Sequence, residues 1–252
     1  MLVIDIGNTN LVFGFWNGKE WAALWREESS PNRPMTDFAR SFRIQLLEND
    51  LRFHDIKTVI IGSVVPSLTT TIQQMISHTL ELEPLVMRPA IFERMPVKIT
   101  NTAEIGADLV ANAVAAYHQY QQAVIIVDFG TALTFTSVSK EGKIEGVAIA
   151  PGLKTAIYAL AGNTAQLPEV PLEVPKSALG TNTVHAMQAG VLLGYIGLVK
   201  HLITEIKKEI GTDAKVIATG GLSAVLSDLH TQFDEVDIHL TINGLRLASN
   251  FI

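Results

Sequence analysis

Val3-Ile4-Asp5-Ile6-Gly7-Asn8-Thr9-Asn10, near the start of the chain, and Ile126-Val127-Asp128-Phe129-Gly130-Thr131, about half the chain later, share one build. In each, a short apolar, β-branched run ends in Asp, an apolar residue and Gly, and small polar residues follow. Such runs suit strands buried on both faces of a sheet, and the Gly permits a tight bend where the strand stops. The likeness continues beyond the bend. A strand over 11–16 leads through Asn17-Gly18 into a second strand over 21–25. A strand over 133–138 leads through Lys140-Glu141-Gly142-Lys143 into another over 144–149. Asn-Gly is a strong hairpin signal. So sparse a repeat at so long an offset predicts a duplicated domain and not a solenoid.

Around these hairpins the pattern alternates. Val59-Ile60-Ile61 and Lys215-Val216-Ile217-Ala218 read as further buried strands. Leu68, Ile72, Ile76 and Leu80 recur at helical spacing, as do Val199, Leu202, Ile203, Ile206 and Ile210. The alternation predicts an α/β fold. Residues 29–34 and 168–175 carry turn chemistry and read as loops. The domain boundary is placed within 117–122, giving an amino-terminal domain over 1–118 and a carboxy-terminal domain over 119–252.

The bulk numbers narrow the class. With 48% hydrophobic and 17% charged residues, the 252-residue chain predicts globular domains and not disorder. A net charge of −6 and the lack of any dense Lys or Arg run argue against nucleic acid as a partner. The chain has no cysteine, which excludes disulfides, thiolate catalysis and Cys-based metal sites. The first residues carry no basic leader pattern. The apolar stretch over 186–199 is shorter than the ~20 residues that span a bilayer, and it reads as a buried helix. A cytoplasmic protein with no membrane partner is expected.

Four places carry candidate chemistry. At the first turn, Gly7 lets backbone N–H groups approach phosphate oxygens, Asn8, Thr9 and Asn10 add donors, and Asp5 offers a hard oxygen ligand for Mg²⁺. At the second, Asp128, Gly130 and Thr131 repeat the arrangement. Two such turns facing each other would clamp one polyphosphate, which is what phosphoryl transfer needs most. The third is Thr219-Gly220-Gly221-Leu222, read as a strand end entering a helix, where a glycine pair would let the backbone approach an adenosine. The fourth is Gly106-Ala107-Asp108-Leu109, which opens a helix. There Asp108 is either a charge complementing the helix dipole or a general base for a substrate hydroxyl. The seven histidines show no zinc-type pairing. Phe13, Phe15, Trp16, Trp21 and Trp25 read as core or interface, and Lys154 and Lys176 as solvated lysines or phosphate contacts.

Taken in order, these motifs resemble the type III pantothenate kinases, also described as Bvg accessory factor-like proteins. The resemblance runs nearly end to end. It rests on Asp5-Ile6-Gly7-Asn8-Thr9-Asn10, Ser63-Val64-Val65-Pro66, Gly106-Ala107-Asp108 and Asp128-Phe129-Gly130-Thr131-Ala132. It continues through Ile149-Ala150-Pro151-Gly152-Leu153, Leu167-Pro168, Asn182-Thr183, Thr219-Gly220-Gly221 and Gly244-Leu245-Arg246-Leu247. It implies two RNase H-like domains of the acetate and sugar kinase, Hsp70 and actin superfamily, with an ATP cleft between them. It implies ATP-dependent phosphorylation of pantothenate to 4′-phosphopantothenate, the first step toward coenzyme A.

By the same resemblance, Asp5, Ile6, Gly7, Asn8, Thr9, Asn10, Leu11 and Val12 form the ATP phosphate loop, with Thr131 opposite and Gly220 and Gly221 on the nucleotide. Asp128 helps bind a monovalent cation, K⁺ or NH₄⁺, and Asp108 is the proton acceptor. Gly106, Ala107, Leu109 and Thr183 line the pantothenate site, and the chain is a homodimer. The sequence departs from the family at Leu109, where Arg is usual, at Thr100-Asn101-Thr102, where Tyr and Pro are common, and at Thr136, where many members carry Asp. Three readings follow: an active pantothenate kinase, a nucleotide-binding regulatory paralogue with weak or lost catalysis, and a kinase for another small alcohol.

Overall fold

Leu2, Val3, Ile4 and Ile6 have no exposed surface, as an unbroken apolar strand requires, and they form β1 (Leu2–Ile6) at the centre of a five-stranded sheet. Antiparallel β2 (Asn10–Trp16) pairs with β1 from Leu2↔Phe15 to Ile6↔Leu11. The hairpin at Asn17-Gly18 then turns the chain into β3 (Trp21–Glu28), antiparallel to β2. Gly18 has φ +104°, a conformation that favours glycine, and the Asn17 side chain accepts hydrogen bonds from the N–H groups of Lys19 and Glu20 at 2.8 and 3.0 Å. Helix α1 (Met35–Glu48) leads to β4 (Val59–Ser63), which lies parallel to β1. Helix α2 (Pro66–Leu80) leads to the short parallel strand β5 (Leu85–Val86), and the sheet order is β3-β2-β1-β4-β5. Phe38, Phe42, Leu68, Ile72 and Ile76 from the two helices pack into one core with Phe13 and Trp25, whose rings stack with centroids 5.1 Å apart. A short helix α3 (Pro89–Phe92) and then α4 (Ala107–Tyr120) follow.

The next sheet repeats the plan. Strand β6 (Val124–Phe129) is central, β7 (Ala132–Val138) and β8 (Ile144–Pro151) form the antiparallel meander, and α5 (Leu153–Gly162) follows. Helices α6 (Thr183–Gln188) and α7 (Gly194–Ile210) are joined by one widened π turn, Ala189–Leu193. Strand β9 (Lys215–Thr219) lies parallel to β6, a 3₁₀ segment covers Ser227–Gln232, and β10 (Glu235–Val236) lies parallel to β9. In order along the chain, each sheet reads third-second-first-fourth-fifth with the same parallel and antiparallel pairs. The duplication expected from the two hairpins is therefore a duplication of the whole sheet.

This computed structural model describes residues 1–223 and 225–252. The chain forms two compact units, Met1–Ala115 with Leu240–Ile252, and Ala116–His239. The sequence reading put 240–252 in the second domain. The structure gives the last helix, α8 (Leu240–Ala248), to the first unit. Leu245 packs over Gly62 of β4, where a side chain would come within 2.6 Å of it, and Gly244 lies flat against the backbone of Ala111 on α4. The Arg246 guanidinium sits 4.2 Å over the Trp16 ring, and the Trp21 indole N–H donates to the Asn243 carbonyl oxygen at 2.9 Å.

The helical run around 186–199 is longer than expected: helix continues over Thr183–Ile210, 28 residues. By length and composition it passes as a membrane span. Met187, Leu192, Ile196, Val199 and Ile203 on it belong to the core of the second unit.

A Cβ at position 244 would run into the Ala111 carbonyl, and backbone cannot swing away as a side chain can. Gly244→Ala should therefore lower the unfolding free energy by about 1–3 kcal/mol, read by urea denaturation. An unchanged midpoint would show that α8 is not seated on α4.

Candidate active site

In the first unit the Asp-x-Gly turn is residues 7–9, between β1 and β2. Gly7 N–H donates to Asn10 O at 3.0 Å and closes the turn. The pairing Asn10↔Glu28 brings the residue after β3 against it. Ser29 N–H donates to Thr9 O at 2.9 Å and the Ser29 hydroxyl to Gly7 O at 2.5 Å. Asn8, Thr9 and Asn10 are exposed, whereas Ile6 and Leu11 are wholly buried. Of the eight residues expected in the ATP phosphate loop, those two give their side chains to the core, which leaves only their backbone for a ligand.

Asp108 belongs to the same end of this sheet. Val64, just beyond β4, donates its N–H to Ile6 O at 3.1 Å, and its side chain lies where a Cβ on Gly106 would touch it at 3.3 Å. Gly106 also makes room for the candidate base: any side chain there would collide with the Asp108 carboxylate. Asp108 sits in the first turn of α4 and accepts a hydrogen bond from Leu109 N–H at 2.8 Å. Burial pushes its carboxyl above the usual carboxylate range, and the backbone hydrogen bonds only partly oppose this. Ala107 is buried and Leu109 half-buried.

In the second unit the turn is residues 130–131, closed by Gly130 N–H to Ala132 O at 3.1 Å. The carbonyl of Thr131 accepts two hydrogen bonds, from Gly152 N–H at 2.9 Å and from the Thr155 hydroxyl at 2.7 Å. Asp128 pairs with Thr219 of β9, and Gly220 then turns with φ +89°. A Cβ on Gly220 would stand 2.7 Å from the Asp128 carboxylate and from the Phe129 backbone. The structure thus gathers Asp128, Thr131 and Gly220 at one sheet end, with the exposed Gly221 next in sequence. The glycine pair does not enter an α-helix as the sequence reading expected. Turns follow it, held by Ser223 N–H to Gly220 O at 3.2 Å. Thr183 is at the start of α6, where it lines a groove of about 740 Å³ with Leu160, Leu167, Asn182 and Met187.

The donor sets fit the expected ions. Among the described residues no three His, Asp or Glu side chains cluster for a metal. Asp5 and Asp128 are each the carboxylate at the end of a central strand. A single carboxylate suits Mg²⁺, which keeps waters and takes phosphate oxygens. Opposite Asp128 in the ladder, the Thr134 hydroxyl oxygen is buried without a hydrogen-bond partner. That oxygen and the Asp128 carboxylate are hard donors of the type a monovalent cation takes.

Sequence reasoning missed Ser29 and Thr155. Ser29 lies in a stretch that reads only as a loop, and Thr155 in the first turn of a helix. Their signal is positional: each lies just past the third strand of a repeated meander.

The chain is built as two copies of one sheet, each with an Asp-x-Gly turn at the end of its central strand. The fold is similar to that of an inorganic polyphosphate/ATP-glucomannokinase from Arthrobacter sp. strain KM, with TM-score 0.50 and 14% identity over 99% of this chain and 98% of that one. The chain belongs to the type III pantothenate kinase family, whose model matches residues 1–205. A type III pantothenate kinase of Moorella thermoacetica is 40% identical over 248 residues, 98% of each chain. One of Citrifermentans bemidjiense is 39% identical over 247 residues, 98% of this chain and 97% of the relative.

The raised pKa of Asp108 sets a sign for stability. Its folded form holds the proton more tightly than the unfolded chain does. That contribution is full below the ordinary carboxylate pKa and is lost as pH rises through the raised value. Asp108→Asn removes the loss. At neutral pH its denaturation midpoint should equal or exceed that of the parent. A drop of ~0.3–1 kcal/mol would instead assign Asp108 to the helix dipole.

Proposed function

We propose that the chain phosphorylates the primary hydroxyl of pantothenate with ATP, giving 4′-phosphopantothenate, with Asp108 as the general base. The observation that carries the base assignment is the seat of Asp108. It lies on α4, reached through Gly106 and Val64 from the same strand ends that form the phosphate turn, in surroundings that raise its pKa. A carboxylate with a raised pKa is a better proton acceptor near neutral pH.

Asp108 takes the hydroxyl proton as the oxygen attacks the γ-phosphorus, whose bond to the β,γ-bridging oxygen breaks so that ADP leaves with the electron pair. Backbone N–H groups around Gly7, and those around Gly130, are donors for phosphate, and Gly106, Ala107 and Leu109 line the acceptor site. Asp5 holds Mg²⁺, whose charge, when it is bound, offsets that of the phosphate oxygens. Asp128 and Thr134 hold K⁺ or NH₄⁺. The family resemblance supports a cytoplasmic homodimer, and the exposed Ile149, Tyr158 and Leu179 supply apolar surface for a second copy.

A second reading has its own observation. Leu109 replaces a five-donor guanidinium with a side chain that donates nothing, so the chain could retain ATP binding and lose the acceptor. An ADP-release assay with pantothenate, Mg²⁺ and K⁺ separates the two. Pantothenate-dependent turnover is expected. ATP-induced thermal stabilisation without such turnover would favour the second reading.

Asp108→Asn should lower kcat by about 10²–10⁴-fold. It should also abolish the acid limb of the kcat/KM profile, a limb that in the parent lies above the usual carboxylate range. A variant with unchanged kcat and an unchanged limb would remove Asp108 from the chemistry.

A further inference from the structure

The two phosphate turns are held by different side chains, and the cause is one residue of turn length. In the first unit β3 overshoots its pairing with β2 by one residue, and Ser29 N–H meets Thr9 O. In the second, β8 overshoots β7 in the same way, and Gly152 N–H meets Thr131 O. Ser29 and Gly152 are therefore equivalent positions of the repeated meander. The first turn, 7–9, is one residue longer than the second, 130–131. The longer turn leaves room for a side chain at 29, whose hydroxyl reaches back to Gly7 O. The shorter turn draws the carbonyls of Gly130 and Thr131 against position 152, where a Cβ would overlap both. The hydroxyl there comes instead from Thr155, in the first turn of α5.

In a trans peptide the C=O and the following N–H point opposite ways. Fixing the Gly7 carbonyl fixes the direction of the Asn8 N–H, and fixing the Thr131 carbonyl fixes that of Ala132. A phosphate turn works through such N–H groups. Resting on the reading that both turns take ATP phosphates, we infer that Ser29 and Thr155 are positioning residues for the nucleotide, each holding its turn in the phosphate-accepting orientation through a carbonyl. Neither touches the reacting atoms.

The test uses Ser29→Ala and Thr155→Val, with Ser29→Thr and Thr155→Ser as the variants that keep the hydroxyl. Steady-state kinetics give KM for ATP and for pantothenate separately, and calorimetric titration with ATP alone gives a Kd that needs no turnover. Ser29 is half-buried and Thr155 exposed, so all four variants are expected to fold. Loss of either hydroxyl should raise the KM and Kd for ATP about 3–10-fold, the usual worth of one hydrogen bond. KM for pantothenate should stay unchanged, and the hydroxyl-keeping variants should restore ATP affinity. Unchanged ATP affinity, an equal rise in both KM values, or a loss that the hydroxyl-keeping variants do not repair would overturn the inference. If the parent binds ATP without turning over pantothenate, the acceptor reading alone falls and the titration still decides. A parent that binds no ATP overturns both.

Discussion

Backbone carbonyl groups at the ends of two buried strands are the constraint around which the site is arranged. A strand that stops leaves backbone acceptors beyond its ladder, each of which needs a donor from a neighbouring segment or from water. Here the donors come from neighbouring elements of the same unit. Val64 serves Ile6, Ser29 serves Gly7 and Thr9, and Gly152 with Thr155 serves Thr131. Each bond draws another segment to the strand end. Val64 brings the Gly106–Asp108 corner beside the first turn, and Gly152 brings the start of α5 beside the second. The chemistry-bearing residues are assembled as a by-product of completing the hydrogen bonding of two sheet edges.

Much of this was legible because it is local. The Asp-x-Gly turns, the Asn-Gly hairpin and the apolar runs each declare themselves within about ten residues, and their repetition foretold two related sheets. What was not legible depends on distant contacts. Nothing near Gly244 says that its flatness serves Ala111, more than a hundred residues earlier, so α8 was assigned to the wrong half. The Gly220-Gly221 pair looked like the start of a helix, but Gly220 is needed for its positive φ and for closeness to Asp128 and Phe129. Ser29 and Thr155 were invisible because a hydroxyl that caps a carbonyl has no pattern beyond its register, and register shows only once strands are paired.

The departure at position 109 acquires a physical meaning beside Asp108. A guanidinium next to a carboxylate favours its charged form and lowers its pKa. Leu109 brings no such charge, and desolvation is the leading influence on Asp108. Leu109 thus offers no donor and no charge beside the Asp108 carboxylate, whose affinity for its proton is set first by burial.

The placement of α8 also bears on how the chain is made. The second unit is continuous, Ala116–His239, whereas the first is interrupted and includes Leu240–Ile252. A ribosome releases the amino terminus first, and domains fold as they emerge. The second unit can therefore finish while the first still lacks the helix that covers Gly62 and Ala111. The amino-terminal half, although made earlier, waits for a helix made after the whole second unit, and the surfaces of Gly62 and Ala111 stay uncovered until then.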